Sequence, residues 1–249
     1  EVYFPPDHQP ATARAPALLL FHGGGWSRGS LDQFRRACAY FASRGLVAAT
    51  ADYRMHTPEE RKRLPDSQSY KRICVTDAKS AIRWMKQQAV ELGLDPRRLI
   101  VGGGSAGGHI AVLATINPGL DDPSDPKGFD TSVAAYVLFN PAFAPKDPDA
   151  QINVMSHLRA GFPPAIAFFG SEDRWKPGWE AAHDRLKAMG NATAELWVAR
   201  GHTHGFYLEP PWREVTLAAA DQFLVRQGLL KGQPTVALPP TGERLELLP

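Results

Sequence analysis

A serine among small residues lies between an apolar run and a segment of helical character, in LIVGGGSAGGHIAVLA at residues 99–114. Within it, Gly103-Gly104-Ser105-Ala106-Gly107 fits the pattern G-x-S-x-G, in which a serine stands on a sharp strand-to-helix turn. The residues two positions from that serine need to lack a Cβ, because the strained turn leaves no room for one. The N-terminus of the following helix would place partial positive charge near a developing oxyanion. The pattern makes Ser105 a candidate nucleophile.

The same glycines allow a second interpretation. Gly102, Gly104 and Gly107 also fit G-x-G-x-x-G, the fingerprint of dinucleotide binding. That motif requires an acidic residue about 20 positions later, at the end of a second strand, and here the region is an Asp- and Pro-rich loop, residues 117–132. A phosphate-binding P-loop is excluded, because no Gly-Lys-Ser/Thr follows. On the glycines alone, the nucleophile and the dinucleotide interpretations both stay open.

A second glycine cluster, His22-Gly23-Gly24-Gly25-Trp26, directly follows an apolar run. Consecutive glycines let backbone N–H groups approach a substrate oxygen without obstruction by side chains, as in the HGGG-type oxyanion loops of lipases and esterases. A tight turn would need only one glycine of positive φ. The N–H groups of Gly24, Gly25 and Ala106 are therefore predicted to form an oxyanion hole.

Two later turns contain candidates for an acid and a base. Glu172 and Asp173 follow the apolar run at residues 165–170, and spacing favours Asp173 as the acid that orients a histidine. His202 and His204 follow the run at residues 194–199 and compete for the role of base. A metal site on this His-x-His pair is not expected, because no third ligand is indicated.

Six short runs are apolar almost throughout rather than alternating, which is typical of central strands in a parallel sheet covered on both faces. Longer helical patterns separate them. This alternation predicts an α/β fold with a doubly wound, mostly parallel sheet and helices on both faces. The predicted strands are Ala17–Phe21, Leu46–Thr50, Leu99–Gly103, Val133–Phe139, Ala165–Gly170 and Ala194–Ala199.

The predicted helices begin and end at recognisable signals. Ser30 and Gln33 are interpreted as a capping box at the start of the first helix, and glycines end the helices because they tolerate the left-handed C′ position. The second helix is expected to run without a break from about Tyr70 to Leu92. The predicted ends are Gly45, Gly93, Gly190 and Gly228, with starts of the last two helices near Pro177 and after Pro210-Pro211.

Composition limits the class of protein. The chain has 249 residues, 43% hydrophobic and 22% charged, which suits one sizeable domain. We assign residues 1–230 to a single catalytic domain and residues 231–249 to a proline-rich surface tail. The net charge of +2 indicates no polyanion partner, and the basic run at residues 61–63 is interpreted as a solvated loop.

Targeting signals and cysteines give little information about the function of the protein. No run is long enough to span a bilayer, so a membrane is not an expected partner. The small net charge of +2 likewise gives no reason to expect a nucleic acid as partner. Cys38 and Cys74 are expected to be buried free thiols. The chain begins at Glu1 rather than Met, which is compatible with a trimmed form, so a soluble protein, secreted or periplasmic after loss of a signal, is one expectation for its location. The oligomeric state is not predicted.

The motifs together resemble the α/β-hydrolase superfamily, and within it the hormone-sensitive-lipase-like and feruloyl-esterase-like carboxylesterases. The matching stretches, in order along nearly the whole chain, are FHGGGW, ADYR, VTDAKSAIRWMK, GLDPRRLIVGGGSAGGHIA, PPAIAFFGSED and HTHGF. The resemblance implies a triad of Ser105, Asp173 and His204, since the histidine of the His-Gly-Phe signature is the catalytic one. No cofactor or metal is implied.

The chain departs from the hormone-sensitive-lipase-like pattern in its short N-terminus, which leaves only residues 140–164 for a cap. We expect a minimal cap and an open site, with Trp26 and Trp175 as candidate substrate-binding residues. The expected substrate is a small-molecule or carbohydrate ester of a short acyl group. An amidase or formamidase with the same triad, a nucleotide-binding oxidoreductase and a non-catalytic module are the alternatives.

Overall fold

A computed structural model describes residues 1–191, 193–240 and 242–248 of the protein. Within these residues, eight strands form one sheet: β1 (Val2–Tyr3), β2 (Ala15–Phe21), β3 (Val47–Ala51), β4 (Leu94–Gly104), β5 (Ala135–Phe139), β6 (Ala165–Gly170), β7 (Ala194–Ala199) and β8 (Glu246–Leu248). Their order is β1-β3-β2-β4-β5-β6-β7-β8. The six central strands run parallel, and β1 and β8 pair antiparallel at the two edges.

The central strands confirm the predicted sheet. The bounds of β6 and β7 coincide with the predicted runs, and β4 and β5 are buried along the segments that pair with each other. Burial on both faces explains why these runs are apolar throughout, since each strand packs against helices above and below. All carboxyl ends of the parallel strands therefore meet at one edge, where loops can converge.

Helices cover both faces of the sheet. They are α1 (Asp32–Ser43), α2 (Pro58–Arg61), α3 (Ser69–Gln87), α4 (Ala89–Leu92), α5 (Ala106–Ile116), α6 (Val154–His157), α7 (Lys176–Ala188) and α8 (Trp212–Arg226), with a 3₁₀ turn at Phe206–Leu208. Helices α1 and α8 pack on one face, and α3, α5 and α7 pack on the other, each face with its own apolar core. The predicted doubly wound fold is confirmed, and Cys38 and Cys74 are buried free thiols as expected.

The predicted capping box at the start of α1 is wrong. The N-cap is Leu31, and no side chain caps the helix. The amide of Gln33 instead accepts a hydrogen bond from the N–H of Gly23 and donates one to the hydroxyl of Tyr207, 2.7 Å away. The side chain of Gln33 does not cap the helix because its amide oxygen bonds Gly23 and its amide nitrogen bonds Tyr207, both distant in sequence.

The predicted helix from Tyr70 to Leu92 is two helices. The chain leaves helical geometry at Gln88, where ψ is 10°, and resumes as the short helix α4. Gly93 then ends α4 with a φ of 64°, the left-handed C′ conformation that the sequence predicted. The apolar periodicity continues across the break, so the pattern could not reveal it.

The C-terminal segment is more than a surface tail. Residues 231–240 lack regular structure, but β8 adds to the sheet beside β7, and Arg200 bonds Glu246 through both guanidinium arms, at 2.7 and 3.0 Å. An edge strand of three residues satisfies backbone groups of β7 that would otherwise face solvent. The boundary at residue 230 therefore does not separate the segment from the sheet.

Two long loops differ in their relation to the sheet. Residues 140–164 leave the carboxyl end of β5 and contain only the four-residue helix α6, so little structure covers that edge. Residues 117–132 connect at the opposite end, where Arg83 of α3 bonds Asp121 and Asp125. Within the described residues, the loop at 140–164 therefore adds little regular structure over the site edge of the sheet. The loop at 117–132 lies away from the edge where the carboxyl ends meet.

Candidate active site

Ser105 occupies a strained turn between β4 and α5. Its φ is 51° and its ψ is −117°, a conformation that side chains other than glycine rarely adopt. The turn is fixed because the N–H of Ser105 donates to the carbonyl of Phe139, at 2.8 Å. A Cβ on Gly107 would lie 2.0 Å from the carbonyl oxygen of Phe21, so only glycine fits where the elbow packs against β2. The structure thus gives Ser105 the geometry that the motif predicted.

The predicted triad residues lie within hydrogen-bond distance of one another. Nε2 of His204 is 2.8 Å from Oγ of Ser105, and Nδ1 of His204 is 2.8 Å from Oδ2 of Asp173. Ser105 follows β4, Asp173 follows β6 and His204 follows β7, so each triad residue lies at the carboxyl end of a different strand. This arrangement allows the imidazole to receive the serine proton while the carboxylate holds its orientation.

Asp173 is held by groups that the sequence did not reveal. Its side chain is fully buried. Besides His204, it accepts hydrogen bonds from Nδ2 of Asn140, at 2.7 Å, and from the N–H of Trp175, at 2.9 Å. Asn140 also accepts from the N–H of Gly205, at 3.2 Å, and thereby ties the acid turn to the histidine turn. An Asn directly after β5, with a φ of 47°, is the signal that could have found it.

The competing candidates are placed elsewhere. Glu172 is exposed and its N–H donates to the carbonyl of His202, at 2.9 Å. The ring of His202 packs edge-on against Trp212, with centroids 4.8 Å apart. The structure therefore brings Asp173 and His204 to Ser105, and directs Glu172 and His202 away from it.

The glycine loop after β2 faces Ser105. Gly24 and Gly25 have φ values of 120° and 64°, and both line the cleft in front of the serine. Within the described residues, the N–H groups of Gly24, Gly25 and Ala106 donate to no protein acceptor. The N–H of Gly23, by contrast, is taken by Gln33. The three donors proposed from the sequence remain available for a substrate oxygen.

Neighbouring side chains brace this loop. His22 is fully buried and contacts Oδ1 of Asp52 through Nε2, at 2.7 Å, while its ring stacks on Tyr53 with centroids 4.5 Å apart. The hydroxyl of Tyr53 donates to the carbonyl of His22, at 3.0 Å. Asp52 and Tyr53 belong to the ADYR stretch after β3, so the next strand end holds the glycine loop in place.

Trp26 and Trp175, the candidate substrate-binding residues, form one wall of the cleft. Their rings meet edge to face with centroids 6.4 Å apart. The indole N–H of Trp26 donates to Nδ1 of His109, at 3.1 Å, and Nε2 of His109 donates to the carbonyl of Ile152, at 2.9 Å. Complete burial lowers the pKa of His109 to about 4. The imidazole is therefore neutral and fixes the orientation of Trp26.

The cleft itself encloses about 280 Å³ and lies open to solvent. Behind Trp26 and Trp175 lies a cavity of only about 20 Å³, closed by Phe143 and Ile152 among others. That space is about the size of one water molecule. Trp26 and Trp175 thus close one side of the cleft, whereas the opposite side continues into a groove beside α1.

The dinucleotide interpretation finds no support in the geometry. A Cβ on Gly102 would lie 1.8 Å from the carbonyl oxygen of Val137, so the first glycine of that fingerprint is required by strand packing. Asp121, an acidic residue in the region where a ribose ligand would be needed, bonds Lys79 and Arg83 of α3. The described residues contain no group of three or more side chains able to hold a metal ion, and no helix among them is long and apolar enough to span a membrane.

Comparisons with known proteins give the family. The BD-FAE family model matches residues 1–140, more than half of the chain. The chain is 36% identical to the probable carboxylic ester hydrolase LipM of Mycobacterium tuberculosis over 132 residues, 51% of this chain and 28% of that protein. It is 39% identical to the ethyl acetate hydrolase of Pseudomonas putida over 113 residues, 45% of this chain and 32% of that protein. The match thus spans about a third or less of these two relatives.

The structural likeness covers almost the whole chain. Thermogutta terrifontis esterase 2 phosphoramylated by tabun superposes with a TM-score of 0.82 and 37% identity, over 93% of this chain and 90% of that one. The same esterase with propionate bound gives a TM-score of 0.81 and 36% identity, with the same coverage. Together with the elbow and the parallel sheet, these findings confirm the predicted α/β-hydrolase fold. The chain belongs to the BD-FAE family, among the α/β-hydrolase carboxylesterases.

Proposed function

We propose that the protein is a serine carboxylic-ester hydrolase. Oγ of Ser105 attacks the ester carbonyl, and His204 takes the serine proton and then delivers it to the leaving alcohol. Asp173 holds the imidazole and stabilises its cationic form. Water activated by His204 then hydrolyses the acyl-enzyme and regenerates Ser105. The observation that carries the proposal is the continuous hydrogen-bonded chain from Ser105 through His204 to the buried Asp173.

The tetrahedral intermediate requires donors for its oxyanion. We assign this role to the N–H groups of Gly24, Gly25 and Ala106, which have no protein acceptor among the described residues. A single donor of this kind contributes roughly 3–4 kcal/mol to stabilisation of the transition state. The dipole of α5, whose N-terminus lies at Ser105, adds positive potential at the same place.

The size of the site supports a short acyl group. The cavity behind Trp26 and Trp175, about 20 Å³, holds no more than about one water molecule, so an acyl group placed against these two rings cannot extend far beyond them. Relatives point in the same direction, since one is named ethyl acetate hydrolase and esterase 2 of Thermogutta terrifontis is described with propionate and with butyrate bound. We therefore propose acetyl to butyryl esters, with the alcohol part toward the open groove.

The alcohol part includes carbohydrates in this proposal. The cleft is open, with only α6 as regular structure in the loop after β5, and Trp26 and Trp175 offer aromatic surface beside Ser105. Release of acetate from acetylated xylan, compared with hydrolysis of methyl ferulate and of simple alkyl acetates, tests which alcohols the groove accepts. Activity on alkyl acetates alone would restrict the proposal to small-molecule esters.

An amidase or formamidase uses the same chemistry on a poorer leaving group. Rates on p-nitrophenyl acetate and on an N-formyl substrate separate the two activities, and we expect the ester to be preferred. The decisive variant is Ser105→Ala, which should lower turnover of the ester by roughly 10⁴-fold or more without loss of the fold. Ser171→Ala is a matched control, because Ser171 follows β6 and, among the described residues, its hydroxyl bonds only the backbone N–H of Gly201. Retained activity in Ser105→Ala would refute the proposal.

A further inference from the structure

The charged side chains that line the cleft are both arginines. Arg28 and Arg174 line it together with Ser105 and His204, and no aspartate, glutamate or lysine among the described residues does so. The carboxylate of Asp173 is fully buried behind His204, where its hydrogen bonds are already used. The cleft therefore presents two positive charges to a substrate and no compensating negative charge.

The two guanidinium groups approach from different loops. Arg28 follows the glycine loop after β2, and Arg174 follows the catalytic acid after β6. Both are exposed, and within the described part of the chain neither has a carboxylate or carbonyl partner. Arg174 instead rests beside the ring of Trp175, with Cζ 5.2 Å from the ring centroid. A guanidinium stacked on an aromatic ring keeps its edge N–H groups free for a planar anion.

Several other arginines of the chain, unlike Arg28 and Arg174, have carboxylate partners. Arg54 bonds both carboxylate oxygens of Asp77, and Arg44 bonds both oxygens of the buried Asp221. The groove beside α1 is lined by Arg28, Arg36 and Arg213 and by the carboxylates of Asp32 and Glu209. Asp32 is already bonded to Arg35, and the three arginines outnumber the two carboxylates, so the groove adds no net negative charge beside the cleft.

We propose that Arg28 and Arg174 select esters that also carry a carboxylate. This inference rests on the proposed ester hydrolysis and names the substrate class of the same site. A carboxylate accepts paired hydrogen bonds from a guanidinium, and such charge-assisted bonds are about twice as strong as neutral ones. The carboxylate of the substrate lies at the mouth of the cleft, while the ester carbonyl faces Ser105 and the glycine loop.

The test uses two pairs of esters that differ in one charge. For the acyl side, p-nitrophenyl hemisuccinate is compared with p-nitrophenyl levulinate, in which a methyl ketone replaces the carboxylate. For the alcohol side, para-carboxyphenyl acetate is compared with para-acetylphenyl acetate. The measured quantity is the ratio of kcat/KM for the anionic ester to that for the neutral ester, in the wild type and in variants. Differences in intrinsic reactivity cancel when variants are compared on the same pair.

In Arg28→Gln and Arg174→Gln we expect the ratio to fall about tenfold or more in at least one pair, and the affected pair shows which part of the substrate carries the charge. High salt should reduce the wild-type ratio, because exposed charges are screened. Arg97→Gln is the matched control: it removes the same charge from a side chain that is 89% exposed at the opposite end of β4, and it should keep the wild-type ratio.

The outcomes distinguish this inference from the proposed function. If neutral esters are hydrolysed and the ratio stays within about twofold of wild type in both variants, the carboxylate preference is wrong and the esterase proposal stands. An equal loss in Arg97→Gln would also overturn the preference, since it would reflect net charge alone. If the wild type hydrolyses none of the four esters, both proposals fail.

Discussion

Acid should destabilise the protein through His109, the buried imidazole behind Trp26. Its ring accepts a hydrogen bond from Trp26 and donates one to Ile152, so the folded protein holds it in the neutral form. Burial lowers its pKa from 6.5 to about 4. The unfolded chain binds a proton at this residue near pH 6.5 and the folded chain does not. Stability from this group is therefore fully present above about pH 6.5 and is lost as the pH falls toward 4.

The magnitude follows from the two pKa values. A separation of this size corresponds to about 3 kcal/mol of unfolding free energy once the pH is below both values. Between pH 7 and pH 5, the loss due to His109 alone is about 2 kcal/mol. For a domain of ordinary stability, about 5–15 kcal/mol, such a loss is readily measured.

Urea unfolding of the wild type and of His109→Gln, at pH 7 and at pH 5, isolates this contribution. Glutamine can accept and donate as His109 does but does not titrate. The wild type should lose about 2 kcal/mol more unfolding free energy than the variant over this range, with similar m-values. Equal losses in the two proteins would show that His109 is not held neutral, and the account of the Trp26 wall would be wrong.

Four further substitutions test the site. His204→Ala should lower turnover of p-nitrophenyl acetate roughly 10⁴-fold, whereas His202→Ala should stay within about threefold of wild type; the reverse order would transfer the role of base to His202. Asn140→Ala removes a hydrogen bond from the buried carboxylate of Asp173 and should lower kcat about tenfold with little change in KM; an unchanged kcat would deny it a positioning role. Gly107→Ala should lower Tm by several degrees or prevent folding, because its Cβ would lie 2.0 Å from a carbonyl of β2; an unchanged Tm would show that the elbow can relax.

The central sheet could be predicted from the sequence because parallel strands are buried on both faces. Such strands are therefore apolar at nearly every position. The sequence did not predict β1 and β8, of two and three residues, since such short edge strands are stabilised by pairing with β3 and β7 rather than by their own pattern. The break in the helix at Gln88 was missed because the apolar periodicity continues through it.

The candidate site was predicted to the extent that it depends on local motifs. Ser105 and the glycine loop were identified from short sequence patterns. Spacing favoured Asp173, and the resemblance supported Asp173 and selected His204 over His202. Gln33, Asn140 and Asp52 were not found, because each acts on a residue that another strand end delivers. Such contacts arise only when the sheet brings distant loops together, and no local pattern records them.

The most direct test of the central claim is to locate the nucleophile covalently. The wild type is treated with paraoxon, and intact-mass and peptide mass spectrometry identify the modified residue while residual esterase activity is measured. We expect one diethylphosphoryl group on Ser105, loss of activity in proportion to labelling, and no labelling of Ser105→Ala. A modified residue other than Ser105, or full esterase activity after complete labelling of Ser105, would contradict the account.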